Sequence, residues 1–276
     1  MRCERHRRAR PALGTLVDIT LDAPDSVSAL QAFEAAFAEI TRIHDLMSAH
    51  DERSEVMRLS RRAHREPVQV HADTLAVLRI AIRLHELSDG VFDPSIGGLL
   101  ARAGYLPFVE PDPLVTRGSL ADIVIADDGK VTFQRPLHLD FGGIAKGYAV
   151  DCAVQALVAQ GVAGALVNAG GDMRAFGAAE HPVQLRTAEG LSAIAMLKDA
   201  ALASSCHADR HAMRASPHLD ARSGCAVERQ ESIVVHASSA AVADGLTKVA
   251  MVSAALADRA CEALGAQWRA FAFSTG

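Results

Sequence analysis

An acidic residue, two glycines and a lysine stand at a predicted strand-to-helix turn. The segment is Leu139-Asp-Phe-Gly-Gly-Ile-Ala-Lys-Gly-Tyr148. Backbone N–H groups and the helix dipole attract anions at the start of a helix, and Lys146 follows that start by about one turn. The segment therefore predicts a site for a phosphate group. The alternative is a plain glycine turn with a lysine on the surface.

Three further glycine turns are present, and the last of those named next follows a segment that is predicted to be a buried strand. They are Leu13-Gly-Thr15, Asp93-Pro-Ser-Ile-Gly-Gly98 and Asn168-Ala-Gly-Gly-Asp172. Glycine lets a backbone approach a ligand closely, but an ordinary hairpin turn has the same composition. Both interpretations remain open for each turn taken alone.

Histidine and cysteine are concentrated in Cys206-His-Ala-Asp-Arg-His211, and His218-Leu-Asp220 follows closely. Nitrogen and sulfur ligands suit zinc, so a zinc site is one hypothesis here. Against it, His207 and His211 align only on a helix, where Cys206 points elsewhere. The sequence has no Walker A or Rossmann glycine pattern, no Gly-x-Ser-x-Gly and no His-Glu-x-x-His, which leaves NTPase, serine hydrolase and zincin hypotheses without support.

Composition predicts a protein that acts on a small ligand. The 276 residues contain 28 basic and 33 acidic side chains, for a net charge of −5, which is not the balance of a nucleic-acid-binding protein. The length suits one continuous unit over residues 1–276, with a basic arm at about 1–11. Neither a membrane span nor an apolar stretch after the N-terminal arginines is present in the sequence. With five cysteines and no Cys-x-x-Cys pair, we expect a cytoplasmic protein.

Apolar periodicity predicts a mixed α and β fold. Residues 13–21 alternate as a strand, and Asp25 or Ser26 caps a helix over 29–47. A second helix is predicted from about Leu75 to Asp89-Gly90. Short strands are predicted at 123–125 and 131–133, and a strand from Leu137, a helix over 145–160 and a strand over 165–168 follow. Further strands are predicted at 183–186, 194–197 and 233–236, before a helix over 240–254.

Taken in order, these pieces resemble the ApbE family of FAD:protein FMN transferases over nearly the whole chain. The family pattern runs Met-Gly-Thr, Ser-x-aromatic with Ser-Glu-Leu, Gly-x-Phe-Asp-Pro-Thr-x-Gly, Asp-x-Gly-x-Ile-Ala-Lys-Gly-x-x-x-Asp, Asn-x-Gly-Gly-Asp, Ala-Thr-Ser-Gly, His-x-Ile-Asp-Pro-Arg-Thr-Gly and Ala-Asp-Ala-x-x-Thr. Here it stands as Leu13-Gly-Thr15, Ser48-Ala-His50 with Ser54-Glu-Val56, Gly90-Val-Phe-Asp-Pro-Ser-Ile-Gly97, 140–151, 168–172, Ala203-Ser-Ser-Cys206, 217–224 and Ala243-Asp-Gly-Leu-Thr-Lys248. The shared order is the specific evidence.

The resemblance implies an α+β, tunnelling-fold-like architecture of two sheet-and-helix lobes with FAD between them. It also implies that Mg²⁺ is held by the Gly143 carbonyl and Asp244, and that FMN passes from FAD to a Thr or Ser hydroxyl of an acceptor flavoprotein while AMP leaves. The catalytic positions implied are Asp244 and Lys248. The FAD-contacting positions implied are Leu13, His50, Val91, Phe92, Asp93, Asp140, Lys146, Asn168, Asp172 and His218 with Pro217. Family members are often exported lipoproteins.

The chain departs from this pattern at its catalytic end. Lys248 replaces the third metal ligand, a threonine, and an ammonium does not coordinate a metal. Cys206, Pro217 and His50 replace a glycine, a histidine and an aromatic residue. We therefore expect FAD binding to be better preserved than transfer. An FAD carrier or sensor without transfer, and an FAD hydrolase giving FMN and AMP, are the alternatives.

Two hypotheses follow for single lysines. Lys146→Ala should weaken FAD binding, because one charge-assisted contact is lost. Lys248 lies one helical turn after Asp244, so its ammonium is predicted to pair with that carboxylate and to replace part of the metal's charge. The alternative is a Lys248 side chain that points to solvent.

Overall fold

Helices and strands of both predicted kinds are present in the computed structural model, which describes residues 4–109, 118–187, 190–206, 218–227 and 229–272. The strands within these ranges are β1 Glu4–Ala12, β2 Thr15–Ala23, β3 Val68–Gln69, β4 Ile123–Ile125, β5 Lys130–Phe133, β6 Gly164–Ala169, β7 Asp172–Phe176, β8 His181–Thr187, β9 Gly190–Leu197, β10 Ala201–Ser205, β11 Glu231–Ala237 and β12 Gln267–Ala272. The helices are α1 Ser26–Met47, α2 Glu55–Arg62, α3 Ala72–Leu87, α4 Gly97–Arg102, α5 Ala145–Ala159, α6 Ala240–Val252 and α7 Ala254–Leu264. The predicted α+β class is confirmed.

Two sheets position the helices. The large sheet has the order β1-β2-β6-β7-β10-β11-β12, and each neighbouring pair in it is antiparallel. The small sheet has the order β3-β5-β4, and β8 pairs with β9 as a separate hairpin. None of the helices in the described ranges is both long and apolar enough to cross a membrane.

Helices α1 and α5 cover one part of the large sheet because their apolar residues recur at helical spacing. Phe33, Phe37 and Ile40 of α1 are at most 5% exposed, and they pack with buried residues of β2, α5 and β6. The side chain of Asp25 accepts a hydrogen bond from the Ser28 N–H, which confirms Asp25 as the cap of this helix. A second core joins α3, α6 and α7 to the small sheet.

The basic N-terminal arm is a strand rather than a free segment. From Glu4 onward it pairs with β2 over its whole length. Arg5 and Arg7 form ion pairs with Asp22 and Asp18 of β2, and Arg10 pairs with Glu34 of α1. These acidic neighbours offset much of the positive charge of β1. Strand β1 forms one edge of the large sheet.

Two boundary predictions are wrong for local reasons. The strand predicted from Leu13 begins at Thr15, because Leu13 and Gly14 form the tight turn between β1 and β2, with φ values of 54° and 71°. The strand predicted from Leu137 is only an isolated bridge between Ile96 and His138. There the Leu139 N–H donates to the Ser60 hydroxyl instead of to a neighbouring strand.

The helix predicted over 240–254 is confirmed as α6, which ends two residues earlier and is followed at once by α7. Ser253 ends α6 with an extended backbone and caps α7, since its hydroxyl accepts from the Leu256 N–H. The predicted strands at 123–125 and 131–133 are confirmed as β4 and β5, and the predicted helix over 145–160 is confirmed as α5.

His138 should make the fold sensitive to mild acid. Its side chain is 5% exposed, and burial, with a contribution from Arg61, lowers its pKa from 6.5 to about 4. The unfolded chain then binds more protons than the folded chain between these two pH values, so stability falls as the pH drops through that window. We expect His138 alone to lower the free energy of unfolding by about 2 kcal/mol at pH 5 relative to pH 7.

Urea unfolding at several pH values measures the effect. The slope of stability between pH 7 and 4.5 should be shallower in His138→Gln than in wild type, while His44→Gln, on the exposed side of α1, should keep the wild-type slope. Identical slopes for wild type and His138→Gln would show that His138 does not carry this dependence.

Candidate functional site

A cavity of about 450 Å³ lies where the turn of the β1-β2 hairpin, the turn before α5 and the end of β10 meet. This volume falls within the range of small-molecule sites. Predicted site residues that line it are Leu13, Val91, Phe92, Asp93, Asp140, Gly143, Lys146, His218 and Lys248. The fold therefore brings together residues that lie more than 200 positions apart in the sequence.

Hydrogen bonds of Asp140 stabilise the predicted phosphate turn. Its side chain accepts from the Gly142 N–H at 3.0 Å, and its own N–H donates to the Pro94 carbonyl. Burial raises the pKa of the Asp140 carboxyl, although the Gly142 N–H opposes that shift. Helix α5 begins at Ala145 directly after this turn, so Lys146 lies in its first turn rather than one turn after its start. The N–H groups of Ala145 and Gly147 donate to the Phe141 carbonyl and to Asp244 Oδ2.

Two lysines and two aspartates form a cluster beside the cavity, called here the four-charge cluster. Lys146 Nζ lies 2.6 Å from Asp172 Oδ2, and Lys248 Nζ lies 2.9 Å from Asp244 Oδ1. The aspartate side chains are 1% and 0% exposed, whereas both lysines line the cavity. The predicted pairing of Lys248 with Asp244 is confirmed, and the alternative of a solvent-pointing Lys248 is wrong.

The carboxylates of this cluster have opposite pKa shifts. Burial and the neighbouring Asp244 raise the pKa of Asp172 to about 6, and Asp172 Oδ1 has no hydrogen-bond partner among the described residues. Burial acts in the same sense on Asp244, but Lys248 and Lys146 outweigh it and lower the pKa of Asp244. Burial disfavours the charged form of Lys146, but Asp244 and Asp172 raise its pKa overall. Asp244 is therefore the more firmly ionised of the two acids.

Hydroxyl groups complete the surroundings of Lys248. Its ammonium donates to Ser205 Oγ at 2.7 Å and to Thr247 Oγ1 at 3.0 Å, in addition to Asp244. Ser205 and Thr247 also lie within hydrogen-bond distance of each other, at 2.8 Å. An ammonium has three N–H groups, and three oxygens are present to accept them.

One turn with two glycines shapes the rim of this site. Gly170 and Gly171 have φ values of 64° and 102° in the hairpin between β6 and β7, where Asn168 Oδ1 accepts from the Gly171 N–H. A Cβ atom on Gly170 would lie 2.5 Å from Thr15 Oγ1, and one on Gly171 would lie 2.6 Å from Ser204 Oγ. Both glycines are thus required by conformation and by the close approach of β2 and β10. Asn168 therefore contributes to the site by holding this hairpin turn in place.

Comparison with known proteins identifies this arrangement. The model of the ApbE family matches residues 13–267. The chain belongs to the ApbE family.

Curated relatives of this ApbE chain carry the name FAD:protein FMN transferase. The protein of Vibrio cholerae serotype O1 is 28% identical over 64% of this chain and 56% of its own length. That of Klebsiella pneumoniae is 32% identical over 60% of this chain and 54% of its own length. The match thus spans about half the length of these relatives.

Solved structures show the same fold. The flavin transferase ApbE of Vibrio cholerae aligns with a TM-score of 0.81 at 23% identity, over 99% of this chain and 98% of that one. The apo flavinyl transferase ApbE of Pseudomonas stutzeri aligns with a TM-score of 0.85 at 20% identity, over 99% and 93%. The chain therefore has the fold of these ApbE structures.

The metal position implied by the family resemblance does not fit a divalent cation beside Lys248 in this ApbE chain. Magnesium takes oxygen ligands at about 2.0–2.1 Å in a near-octahedral arrangement. Here Asp244 Oδ1 accepts from Lys248, and Asp244 Oδ2 accepts from the Gly147 N–H at 3.3 Å. The aliphatic part of Lys248 packs over Gly143, where an added Cβ atom would lie 3.2 Å from Lys248 Cγ. Within the described residues, no group of three His, Cys, Asp or Glu side chains is arranged to hold a metal.

Other predicted positions have a supporting role or lie away from the cavity. Asp93 Oδ1 accepts from the Ser95 N–H and hydroxyl, and Asp93 Oδ2 accepts from the Leu120 N–H, so this carboxylate braces its own turn. His50 is exposed and does not line the cavity. His207, His211 and Pro217 lie outside the described residues, which leaves the zinc hypothesis untested there.

Asp151 is a site-forming residue that the sequence reasoning left without a role. Its carboxylate accepts from the Ser239 hydroxyl and from the Ala240 and Ala241 N–H groups at the start of α6, and it pairs with Arg174. This contact fixes α6, which carries Asp244 and Lys248, against α5, which carries Lys146. The available signal was an acidic residue on an otherwise apolar helix, because a buried carboxylate needs such partners.

Proposed function

We propose that this chain is an FAD:protein FMN transferase, which moves FMN from FAD to a Thr or Ser hydroxyl of an acceptor flavoprotein and releases AMP. The observation that supports this proposal most is that two ammonium groups, those of Lys146 and Lys248, line one cavity at the start of α5. The names of the curated relatives support the same activity.

Phosphoryl transfer depends mainly on positioning and on stabilisation of charge. In the proposed complex, the diphosphate of FAD lies against Lys146, Lys248 and the turn that precedes α5. Leu13, Val91 and Phe92 give the same cavity an apolar wall for a ring system. The acceptor hydroxyl oxygen attacks the FMN phosphorus and gives up its proton, and the bond from that phosphorus to the AMP oxygen breaks, so that AMP leaves with the electron pair and takes up a proton. The two ammonium groups stabilise charge on the phosphate oxygens.

The family resemblance predicts magnesium, but the Lys248 ammonium occupies the implied position beside Asp244, so the transfer proposed above involves no metal. The proposed contacts of Lys146 and Lys248 with the diphosphate do not depend on a metal.

FAD binding without transfer is the second candidate, and the ion pair of Lys248 with Asp244 favours it. An ammonium offers one positive charge where a divalent cation offers two, so the leaving phosphate is stabilised less. Binding then persists while transfer slows.

One assay separates these functions. Purified protein is incubated with FAD and an acceptor that carries an Asp-Gly-x-Thr-Ser/Ala segment, with and without Mg²⁺, and the products are resolved by chromatography and by intact mass of the acceptor. We expect an acceptor that gains the mass of FMN, together with free AMP. The matched control is an acceptor with alanine in place of the target threonine.

Other outcomes have distinct meanings. FMN and AMP released without modification of the acceptor would indicate an FAD hydrolase. Bound but unchanged FAD would indicate a carrier or sensor, and either outcome would overturn the transferase proposal.

A further inference from the structure

The surroundings of Lys248 are those of a bound cation. Its ammonium lies 2.7, 2.9 and 3.0 Å from the oxygens of Ser205, Asp244 and Thr247. The side chain is 21% exposed, and these three oxygens accept all of its N–H groups. Each of the three lies within the described residues and is contributed by β10 or α6.

The four-charge cluster needs a cation at position 248 to be electrically neutral. Asp172 and Asp244 are both buried carboxylates, and the single positive charge of Lys146 neutralises only one of them. With a threonine at position 248, as in the family pattern, the ionised cluster would have a net charge of −1 and would require a further cation. With Lys248 it is neutral, so a buried negative charge does not remain unpaired.

The position of the side chain has a second consequence. Lys248 extends from α6 over Gly143 and ends at Asp244, which are the two groups that the family resemblance assigns to the metal. A divalent cation bound to Asp244 Oδ1 would lie directly beside the ammonium, and the two like charges would repel each other. One of them must leave for the other to bind.

We propose that Lys248 is the built-in cation of this site, so that FAD binds to this chain without a divalent metal and the chain itself has no specific metal site. This inference rests on the proposed FAD site. It specifies that the diphosphate is held by two ammonium groups, with a phosphate oxygen replacing the Ser205 or Thr247 hydroxyl as an acceptor from Lys248. It also specifies that substitution of one residue converts the chain to a metal-dependent one.

Metal binding is measured first without FAD, so that the result does not depend on the proposed function. Mn²⁺ is titrated into wild type, Lys248→Thr and Lys198→Met, and free Mn²⁺ is followed by electron paramagnetic resonance. Lys198 is an exposed lysine directly after β9 and serves as the matched control. We expect Lys248→Thr to bind one Mn²⁺ per chain at least about tenfold more tightly than wild type or Lys198→Met, the effect of one charge-assisted contact.

FAD binding is then measured by calorimetry in EDTA and in excess Mg²⁺. The wild-type affinity should change by less than about threefold between the two conditions, whereas Lys248→Thr should gain about tenfold or more from Mg²⁺. Lys248→Met, which has neither the charge nor a ligand oxygen, should bind FAD weakly in both.

Two results would overturn the proposal. One is a wild-type protein that binds Mn²⁺ as tightly as Lys248→Thr, and the other is an FAD affinity of wild type that depends on Mg²⁺ as strongly as that of the variant. The wild-type measurements need no substituted protein, so a folding defect in a variant does not prevent the test. Mn²⁺ results as expected, combined with no FAD binding by any protein, would instead contradict the proposed function alone.

Discussion

Asp244→Asn is expected to destabilise the protein by about 3 to 5 kcal/mol at pH 7, the cost of leaving a buried ion pair without one partner. Asp244 is fully buried, and its carboxylate accepts from Lys248 and from the Gly147 N–H. The amide of asparagine keeps the shape but removes the charge that offsets two lysines. Urea unfolding followed by circular dichroism measures the difference.

A second substitution separates charge from shape. Asp244→Asn combined with Lys248→Met removes both charges, so much of the lost stability should return. Asp45→Asn, which changes an exposed aspartate of α1, should have an effect within about 0.5 kcal/mol of zero. The role assigned to the ion pair is wrong if Asp244→Asn costs no more than Asp45→Asn.

Lys146→Met is expected to weaken FAD binding by roughly 10- to 150-fold, because one charge-assisted contact to the diphosphate is lost. Methionine retains most of the length of the side chain, so the wall of the cavity is largely preserved. The measurement is calorimetric titration with FAD at fixed salt concentration.

The partner of Lys146 requires its own control. Loss of Lys146 leaves Asp172 beside Asp244, and a change in affinity could then arise from the unpaired carboxylate. Lys146→Met with Asp172→Asn removes that charge as well, and it should still bind FAD weakly if Lys146 itself contacts the phosphate. Recovery of wild-type affinity in this double variant would contradict a direct contact.

Local patterns in the sequence were sufficient where one element determines the structure. Phe33, Phe37 and Ile40 recur at helical spacing, and the helix they predict is present as α1. The pairing of Asp244 with Lys248 was predictable for the same reason, since residues four apart lie on one face of a helix. These contacts need no knowledge of the tertiary fold.

Contacts between distant elements were not predictable in this way. The pair of Lys146 and Asp172 joins α5 to β7, and Ser205 reaches Lys248 from β10, so both depend on the order of strands in the large sheet. Strand β1 was not predicted, because its many arginines leave no alternation of apolar and polar residues. The acidic partners of these arginines lie on β2 and α1, and those contacts depend on the tertiary fold. Family resemblance placed the site residues in one group, but not the contacts among them.

A crystal structure of the protein with FAD tests the central claim most directly, namely that the cavity beside the four-charge cluster holds the diphosphate. We predict diphosphate oxygens within hydrogen-bond distance of Lys146 Nζ and Lys248 Nζ, with Lys248 still paired to Asp244 and no metal ion between them. FAD bound away from these lysines, or a divalent cation on Asp244 with Lys248 displaced, would contradict that claim.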